Sequence, residues 1–215
     1  MSETTNMQAY YQRRAPVYDD VYAYPERQLD LRYLEARLPG LLAGLDVLEL
    51  AAGTGYWTAV ISQSAQRILA TDREPAQLAR LEQRSFCCPV EVQVADAFAL
   101  ETALPGREFT GLFAGLWVSH IRREQMQIFF EGVHRLLTPG ATVVLLDNSL
   151  SQCNRLPITR RDERGNTYQD RLLDGRSYRV LKNFPTPDEL RAWTGVRAGD
   201  YQLLDHYWVY QYKLP

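Results

Sequence analysis

Residues 47–50 form an apolar run that leads into a glycine-bearing turn, 51–55, and then into a helical pattern that begins at Tyr56. This stretch constrains the fold more than any other part of the chain. Glycine lets a ligand approach the main chain closely, and the free N–H groups at the start of a helix favour electronegative atoms. The stretch therefore predicts a strand, a tight turn and a helix that together bind a nucleotide-like ligand.

Short apolar runs alternate with helical patterns on both sides of this turn. We expect strands at 47–50, 68–71, 90–94, 109–118 and 142–146, separated by helices at 56–65, 74–84 and 123–137. Parallel strands need crossover connections of this length, which helices supply. The pattern predicts an α/β fold with a Rossmann-like, doubly wound sheet that carries helices on both faces.

Both ends of the chain depart from this alternation of strands and helices. An aromatic, arginine-bearing run at 10–20 precedes a helical pattern over 26–38, which Pro39-Gly40 should end. Near the other end, Asp174-Gly175 favours a hairpin turn between strands at 168–173 and 177–184.

A helix follows that hairpin. Thr186, Pro187 and Glu189 predict its capping box, and residues 201–212 predict a final strand. We expect one domain with three parts: an N-terminal helical cap or lid at 1–40, a cofactor-binding core at 41–150, and a hairpin insertion with C-terminal strands at 151–215.

Composition excludes several classes of protein. The 215 residues are 46% hydrophobic and 23% charged, which suits one globular core. No apolar run approaches the roughly 20 residues of a membrane span, and the N-terminus lacks the pattern of a signal segment. Cys87, Cys88 and Cys153 lack the spacings of a zinc site or a disulfide framework. We therefore expect a cytoplasmic protein with no membrane partner and no metal.

The net charge of −2 argues against a nucleic-acid-binding surface. Residues 151–180 nevertheless carry seven arginines against four acidic residues. Solvent-exposed faces of the predicted hairpin explain this excess, and an anionic substrate or a partner surface is the alternative. An acidic or carboxylate-bearing acceptor is therefore a hypothesis for the function.

The glycine turn fits one cofactor class better than another. A dinucleotide fingerprint needs a small residue after Gly-x-Gly-x-x, whereas this chain has Thr58 preceded by bulky Trp57. The run Glu49-Leu-Ala-Ala-Gly-Thr-Gly55 instead resembles the first motif of class I S-adenosylmethionine-dependent methyltransferases. The resemblance extends from about Tyr10 to Tyr212 and implies a seven-stranded sheet. It also implies S-adenosyl-L-methionine (SAM) as cofactor and S-adenosyl-L-homocysteine (SAH) as product.

The family motif assigns roles to the residues of the turn. Ala51 stands at the first glycine position of the family pattern, where alanine is a frequent departure. The resemblance implies that Glu49 organises the loop and the methionine end of the cofactor. It further implies that Ala51, Gly53 and Gly55 contribute close backbone contacts.

Two later segments match the family in order and spacing. Asp72, with Arg73 beside it, ends a strand where a carboxylate can accept both ribose hydroxyls, although such a residue can also cap the next helix. Asp96, with Ala97 and Phe98, matches the position that meets the adenine amino group, and a plain turn is the alternative.

The acceptor side of the site is less defined. Leu116 matches a family position that offers a backbone carbonyl to the methionine amino group. His120 follows the fourth strand and is our candidate for a general base or a substrate ligand, although a hydrogen-bonded loop histidine is equally economical. The turn 147–149 ends the fifth strand on the same sheet edge and is a candidate for polar substrate contacts.

The aromatic run near the N-terminus resembles the opening segments of many small-molecule methyltransferases. By that likeness Tyr18 covers the methionine end of the cofactor and Arg14 pairs with its carboxylate, a geometry that suits a guanidinium. The alternative is that both side chains merely pack the N-terminal cap.

These observations predict a SAM-dependent methyltransferase that acts on an O or N atom of a small molecule by in-line displacement. An RNA or protein methyltransferase is the enzymatic alternative. A non-catalytic module that binds SAM or a nucleotide is the alternative from another class. The acceptor and the oligomeric state stay open.

Overall fold

A seven-stranded sheet forms the centre of the protein in this computed structural model, which describes residues 3–215 and, in the first helix, side chains from residue 7 onward. The strands are β1 (Asp46–Leu50), β2 (Arg67–Asp72), β3 (Val90–Val94), β4 (Phe109–Gly115), β5 (Leu137–Asn148), β6 (Arg160–Arg161), β7 (Thr167–Leu173), β8 (Arg176–Leu181), β9 (Gly199–Leu203) and β10 (Tyr207–Lys213).

The sheet order is β3-β2-β1-β4-β5-β10-β9. The first five strands in this order run parallel, and β10 pairs antiparallel with both β5 and β9. The strand order reverses between β1 and β4, and ligands of doubly wound sheets bind at such a switch point. The predicted seven-stranded Rossmann-like sheet is confirmed.

Helices cover both faces of the sheet and one end of it. They are α1 (Glu3–Arg14), α2 (Gln28–Leu41), α3 (Tyr56–Ile61), α4 (Pro75–Leu81), α5 (Leu100–Ala103), α6 (Met126–His134) and α7 (Pro187–Thr194). Short 3₁₀ segments occupy Ala15–Tyr22, Pro25–Arg27, Val118–His120, Arg123–Gln125 and Leu150–Asn154. Within residues 3–215, no helix has the length and apolar character needed to cross a membrane.

Alternation along the strands builds one core on each face of the sheet. Val47 packs in the cluster under α2 and α3, whereas its neighbour Leu48 packs in the cluster under α6. Every residue from 47 to 50 is buried, including Glu49. This explains why the strand is a continuous apolar run except for that glutamate.

The segment after β5 forms a separate three-stranded sheet, ordered β6-β7-β8. The β7–β8 hairpin turns at Asp174 and Gly175, whose φ angles are +50° and +72°, as a two-residue turn requires. α1 packs against the inner face of this hairpin, where Tyr10 meets Tyr178 and Val180. The N-terminal segment and the hairpin therefore form one roof beside the sheet.

Several predicted boundaries are wrong in an informative way. α2 continues through Pro39 to Leu41, so Pro39, which lies in its last turn, does not end the helix. The single strand predicted over 201–212 is two strands, β9 and β10, separated by a turn at 204–206. The predicted capping box is confirmed: Thr186 accepts from the Glu189 amide, and the Glu189 side chain accepts from the Thr186 amide.

A buried ion pair joins the hairpin to the sheet. The ammonium of Lys182, just after β8, donates to Oδ1 of Asp147 at 2.8 Å and to Oγ of Ser119 at 2.7 Å. Oδ1 of Asn148 accepts a third bond from it at 3.0 Å. These side chains are at most 4% exposed. The prediction that the turn 147–149 contacts substrate is therefore wrong for Asp147, because its carboxylate is used to hold Lys182.

We predict that Lys182→Met lowers the free energy of unfolding by about 3–5 kcal/mol, because it leaves the buried Asp147 carboxylate without a counter-ion. Urea unfolding followed by circular dichroism measures this loss. Arg179→Met is the matched control, since Arg179 pairs with Asp170 on the exposed side of the same hairpin and should cost at most about 1 kcal/mol. Equal losses in the two variants would contradict the proposed docking role of Lys182.

Candidate active site

A cavity of about 310 Å³ lies at the carboxyl ends of the parallel strands, on the side covered by α1 and the β7–β8 hairpin. Its lining comes from four parts of the chain: the N-terminal segment, the turns after β1, β2 and β3, the segment after β4, and the hairpin. The lining residues are Met7, Gln8, Tyr11, Tyr18, Ala51, Gly53, Asp72, Arg73, Glu74, Gln77, Ala95, Asp96, Ala97, Phe98, Gly115, Leu116, Trp117, His120, Arg122, Gln125, Tyr168 and Leu181.

The turn after β1 adopts left-handed backbone conformations at three positions. Ala51 has φ of +51°, Gly53 +57° and Gly55 +80°. Ala51 and Gly53 line the cavity, as predicted, whereas Gly55 does not. A Cβ atom at Gly55 would lie 2.7 Å from Cγ of Leu81. Packing of α3 against α4 therefore explains Gly55 without any ligand contact.

Asp72 organises this turn and also faces the cavity. Its Oδ2 accepts from the Gly53 amide and its Oδ1 from the Glu74 amide, both at 2.8 Å. Burial raises the pKa of Asp72, and these two backbone bonds oppose that shift. A carboxylate has about four acceptor positions, so two remain for hydroxyl groups of a ligand. Glu74 occupies the N-cap position of α4 but makes no capping bond with its side chain, so the Asp72 carboxylate supports the start of α4 as well as facing the cavity, and its ribose role stays a prediction.

The segment after β3 forms one wall of the cavity. Oδ1 of Asp96 accepts from the Phe98 amide at 2.9 Å, and its Oδ2 lies 3.6 Å from Arg73. The Phe98 ring is 45% exposed beside the cavity and rests on Phe129. An exposed aromatic face next to an unburied carboxylate suits a flat heteroaromatic ring with an amino group.

Glu49 lies beneath the turn and does not line the cavity. Burial raises the pKa of its carboxyl to about 8. Its Oε2 atom has no hydrogen-bond partner among residues 7–215. An orphaned buried oxygen under the turn is consistent with the predicted role at the cationic end of a cofactor, which stays a prediction.

Leu116 lines the cavity directly after β4 in a left-handed conformation, with φ of +58°. Such a conformation is costly for a branched residue and is concentrated at functional sites. Its amide donates to the Leu146 carbonyl at 2.7 Å, so β5 holds the strained turn in place.

The two residues predicted from the N-terminal run have different positions. Tyr18 lines the cavity, and burial raises its pKa well above the usual value. Arg14 does not reach the lining: its guanidinium lies 5.6 Å from the ring centroids of both Tyr10 and Tyr18. In this arrangement Arg14 supports Tyr18 from behind, and its pairing with a ligand carboxylate stays a prediction.

His120 lies in the cavity wall with both ring nitrogens engaged. Nδ1 lies 2.6 Å from the Leu181 carbonyl oxygen, which can only accept, so Nδ1 carries the proton. In the neutral ring Nε2 is then the acceptor, and the Tyr11 hydroxyl donates to it over 2.8 Å. Burial, and then the positive charges of Lys182 and Arg171, lower the pKa of His120 to about 3.

Sequence reasoning missed three residues around His120. Tyr11 lines the cavity and bonds to the histidine, Trp117 lines the wall beside it, and Arg171 donates to the Tyr11 hydroxyl at 3.3 Å. Nothing local distinguishes Tyr11 from the neighbouring tyrosines of its run. Nothing local distinguishes Arg171 either, because alternation along β7 would place Leu172 inside, whereas the structure buries the arginine.

No group of three or more histidine, cysteine, aspartate or glutamate side chains that could hold a metal ion occurs in the part of the chain that the structure describes.

We predict that His120 makes stability depend on pH. An exposed histidine in the unfolded chain has a pKa near 6.5, whereas the folded pKa is about 3. The unfolded state therefore binds the extra proton between these values, so the stabilisation is complete above about pH 6.5 and is lost as pH falls toward the folded pKa. The loss approaches about 1.4 kcal/mol per pH unit.

Urea unfolding of the wild type and of His120→Gln at several pH values between 4.5 and 7.5 measures this effect. Glutamine retains one donor and one acceptor, so the difference between the two proteins isolates the titration of the imidazole. A stability difference that stays constant over this range would show that His120 titrates normally.

The comparisons with known proteins agree on one family. A family model described as a methyltransferase domain matches residues 47–140. A curated relative, the ribosomal RNA small subunit methyltransferase A of Dinoroseobacter shibae, is 35% identical over 74 residues. That match covers 34% of this chain and spans only about a quarter, 26%, of the relative's length.

Solved structures match nearly the whole chain. A DhpI–SAH complex is 26% identical, covers 98% of this chain and 97% of its own, and superposes with a TM-score of 0.78. A DhpI–SAM–HEP complex is also 26% identical, with coverage of 99% and 97% and a TM-score of 0.76. The CcbJ methyltransferase of Streptomyces caelestis, 17% identical, covers 100% and 99% with a TM-score of 0.70 and shows the shared fold.

The methyltransferase-domain match over residues 47–140 and the likeness to the DhpI complexes over nearly the whole chain support a class I S-adenosylmethionine-dependent methyltransferase, with S-adenosyl-L-methionine as its cofactor.

Proposed function

We propose that this protein transfers the methyl group of SAM to an O or N atom of a small-molecule acceptor. The observation that carries the proposal is the roof over the cavity. Tyr11 and Tyr18 from the N-terminal segment and Tyr168 and Leu181 from the hairpin all contribute to the lining. A cavity covered in this way favours a compact acceptor over a polymer strand.

The residues of the cavity fit the adenosine part and the methionine part of the cofactor separately. Asp72 has acceptor positions for ribose hydroxyls, and Asp96 with Phe98 suits the adenine ring. Ala51, Gly53 and Leu116 surround the remaining part, where the methionine end belongs. When bound, SAM supplies a methyl group activated by its positively charged sulfur.

The chain's own task in such a displacement is to align the acceptor and to exclude competing water. Leu116, Trp117 and Leu181 provide apolar walls at the acceptor end. Their burial leaves few routes for water once the roof is in place, which favours the acceptor over hydrolysis.

His120 is our candidate for the group that receives the acceptor's proton. The Leu181 carbonyl holds its Nδ1–H and fixes the ring, so Nε2 presents its lone pair toward the cavity. The Tyr11 hydroxyl occupies that lone pair in the present structure. An acceptor hydroxyl that takes the place of the Tyr11 hydroxyl would donate its proton to Nε2 as its oxygen forms the new bond to the methyl group; an ammonium would first give a proton to Nε2, and the freed nitrogen lone pair would then attack the methyl group.

An RNA acceptor is the second candidate, because a relative that matches a third of this chain is named as a ribosomal RNA methyltransferase. The net charge of −2 and the interleaved acids of the hairpin favour the small molecule. A screen with labelled SAM over phenols, amines, carboxylates, thiols and bulk RNA separates the two, and label incorporated into RNA alone would overturn the proposal.

We predict that Asp72→Asn weakens SAH binding about 10- to 150-fold, because it replaces a charged acceptor by an amide and costs roughly 1.5–3 kcal/mol. Isothermal titration calorimetry measures this change. Asp46→Asn is the matched control, since Asp46 lies at the amino end of β1, away from the cavity. Unchanged affinity in Asp72→Asn would remove the ribose role.

We predict that His120→Gln lowers turnover of an acceptor found in the screen by about 10²- to 10⁴-fold, the range typical for loss of a general base. SAH affinity should change by less than about threefold, because His120 receives the acceptor's proton and is not assigned to hold the cofactor. An unaltered turnover rate would exclude His120 as the base.

A further inference from the structure

The acceptor end of the cavity differs in charge from the cofactor end. The acidic lining residues are Asp72, Glu74 and Asp96, and all three follow β2 or β3. Among the described residues, the lining supplied by α1, the segment after β4 and the hairpin contains no carboxylate, and it includes Arg122. The chamber around His120 is therefore bounded by neutral groups and a cation.

Arg171 adds a second positive charge directly behind this wall. It is 5% exposed, and it donates hydrogen bonds to neutral groups: the Tyr11 hydroxyl at 3.3 Å and the Gln169 side-chain oxygen at 2.9 Å. Its Nε is buried without a hydrogen-bond partner among residues 7–215. A buried charge is costly unless an opposite charge compensates it, so this arginine needs an explanation.

The nearby carboxylates are already committed. Asp147 is held by Lys182 at 2.8 Å. Asp162, behind Tyr168, accepts from the Tyr168 hydroxyl and from Asn166. Neither forms an ion pair with the Arg171 guanidinium, which faces only the Tyr10 ring, 5.5 Å away, and its two neutral hydrogen-bond partners within residues 7–215.

We propose that the methyl acceptor carries an oxyanion, a carboxylate or a phosphate, that sits against Tyr11 and His120 with Arg171 behind them and Arg122 beside them. The inference rests on the proposed function in one respect: it takes the molecule that occupies this chamber to be the methyl acceptor. Arg171 acts through the Tyr11 hydroxyl and is a positioning residue, whereas Arg122, which donates to the Tyr168 hydroxyl, adds positive charge to the cavity wall.

An anion in this chamber also accounts for the state of His120. Lys182 and Arg171 help to hold the pKa of His120 low, which leaves it a weak base in the absence of ligand. A negative charge next to the ring opposes both cations and raises the proton affinity of Nε2. The substrate would thus strengthen the base that takes its proton.

Histidine NMR of the SAH-loaded protein tests the proposal without a known acceptor. The chain has three histidines, so ¹³C-labelled histidine gives one signal for His120, with His134 and His206 as internal references. Titration with acetate and, separately, with inorganic phosphate at constant ionic strength should shift the His120 signal saturably. The tighter of the two anions identifies the class of oxyanion.

Variants of Arg171 then test whether this side chain is responsible for the anion binding. Arg171→Met should weaken anion binding by about tenfold or more, and Arg171→Lys should restore it to within about threefold, because the charge returns. Arg176→Met, at the exposed hairpin turn, is the matched control and should match the wild type. SAH affinity, measured for each variant, should stay within about threefold of the wild type, because Arg171 does not line the cofactor cavity.

Two results would overturn the proposal: no saturable His120 shift with either anion, or equal anion affinity in Arg171→Met and the wild type. Acceptors from the screen add a kinetic test, in which a carboxylic acid is compared with its primary amide. The wild type should prefer the acid in kcat/KM, and Arg171→Met should lose that preference through KM. A screen in which no acceptor is methylated would contradict the proposed function. The NMR titration tests the anion-binding site independently of that result.

Discussion

The ion pair between Lys182 and Asp147 is the contact on which the site depends. It joins three pieces that are distant in sequence: the end of β5, the 3₁₀ turn 118–120 and the strand β8. The Asp147 carboxylate also accepts from the Ser119 amide at 2.9 Å, so the turn that carries His120 is held from below. Burial of such a pair is weak evidence for added stability, but it fixes one arrangement of the hairpin over the sheet.

The cofactor half of the site follows from local sequence patterns. The turn 51–55, Asp72 and Asp96 each come directly after a short apolar strand, and parallel strands bring their carboxyl ends to one sheet edge. The position of these residues at the ends of successive strands is therefore enough to predict that they lie close together. Gly55 shows the limit of this reasoning: the motif predicts a ligand contact there, which stays a prediction, whereas close packing against Leu81 of α4 is by itself a sufficient reason for glycine.

The acceptor half could not be read in the same way, because it is assembled from distant segments. Tyr11 and His120 are 109 residues apart, and Arg171 reaches Tyr11 across 160 residues. No short-range pattern encodes such pairings, which depend on how α1 docks against the hairpin. The polarity of β7 is even inverted against expectation, since Leu172 is 76% exposed and Arg171 is buried.

The shared roof has a consequence for the catalytic cycle. α1 and the β7–β8 hairpin cover both ends of one cavity, and α1 meets the hairpin through Tyr10, Tyr178 and Val180. Separation of α1 from the hairpin would open the part of the cavity wall that both elements supply. We expect the rate of separating these surfaces, and not the displacement itself, to set the pace of repeated turnover, as is common in enzymes with covering segments.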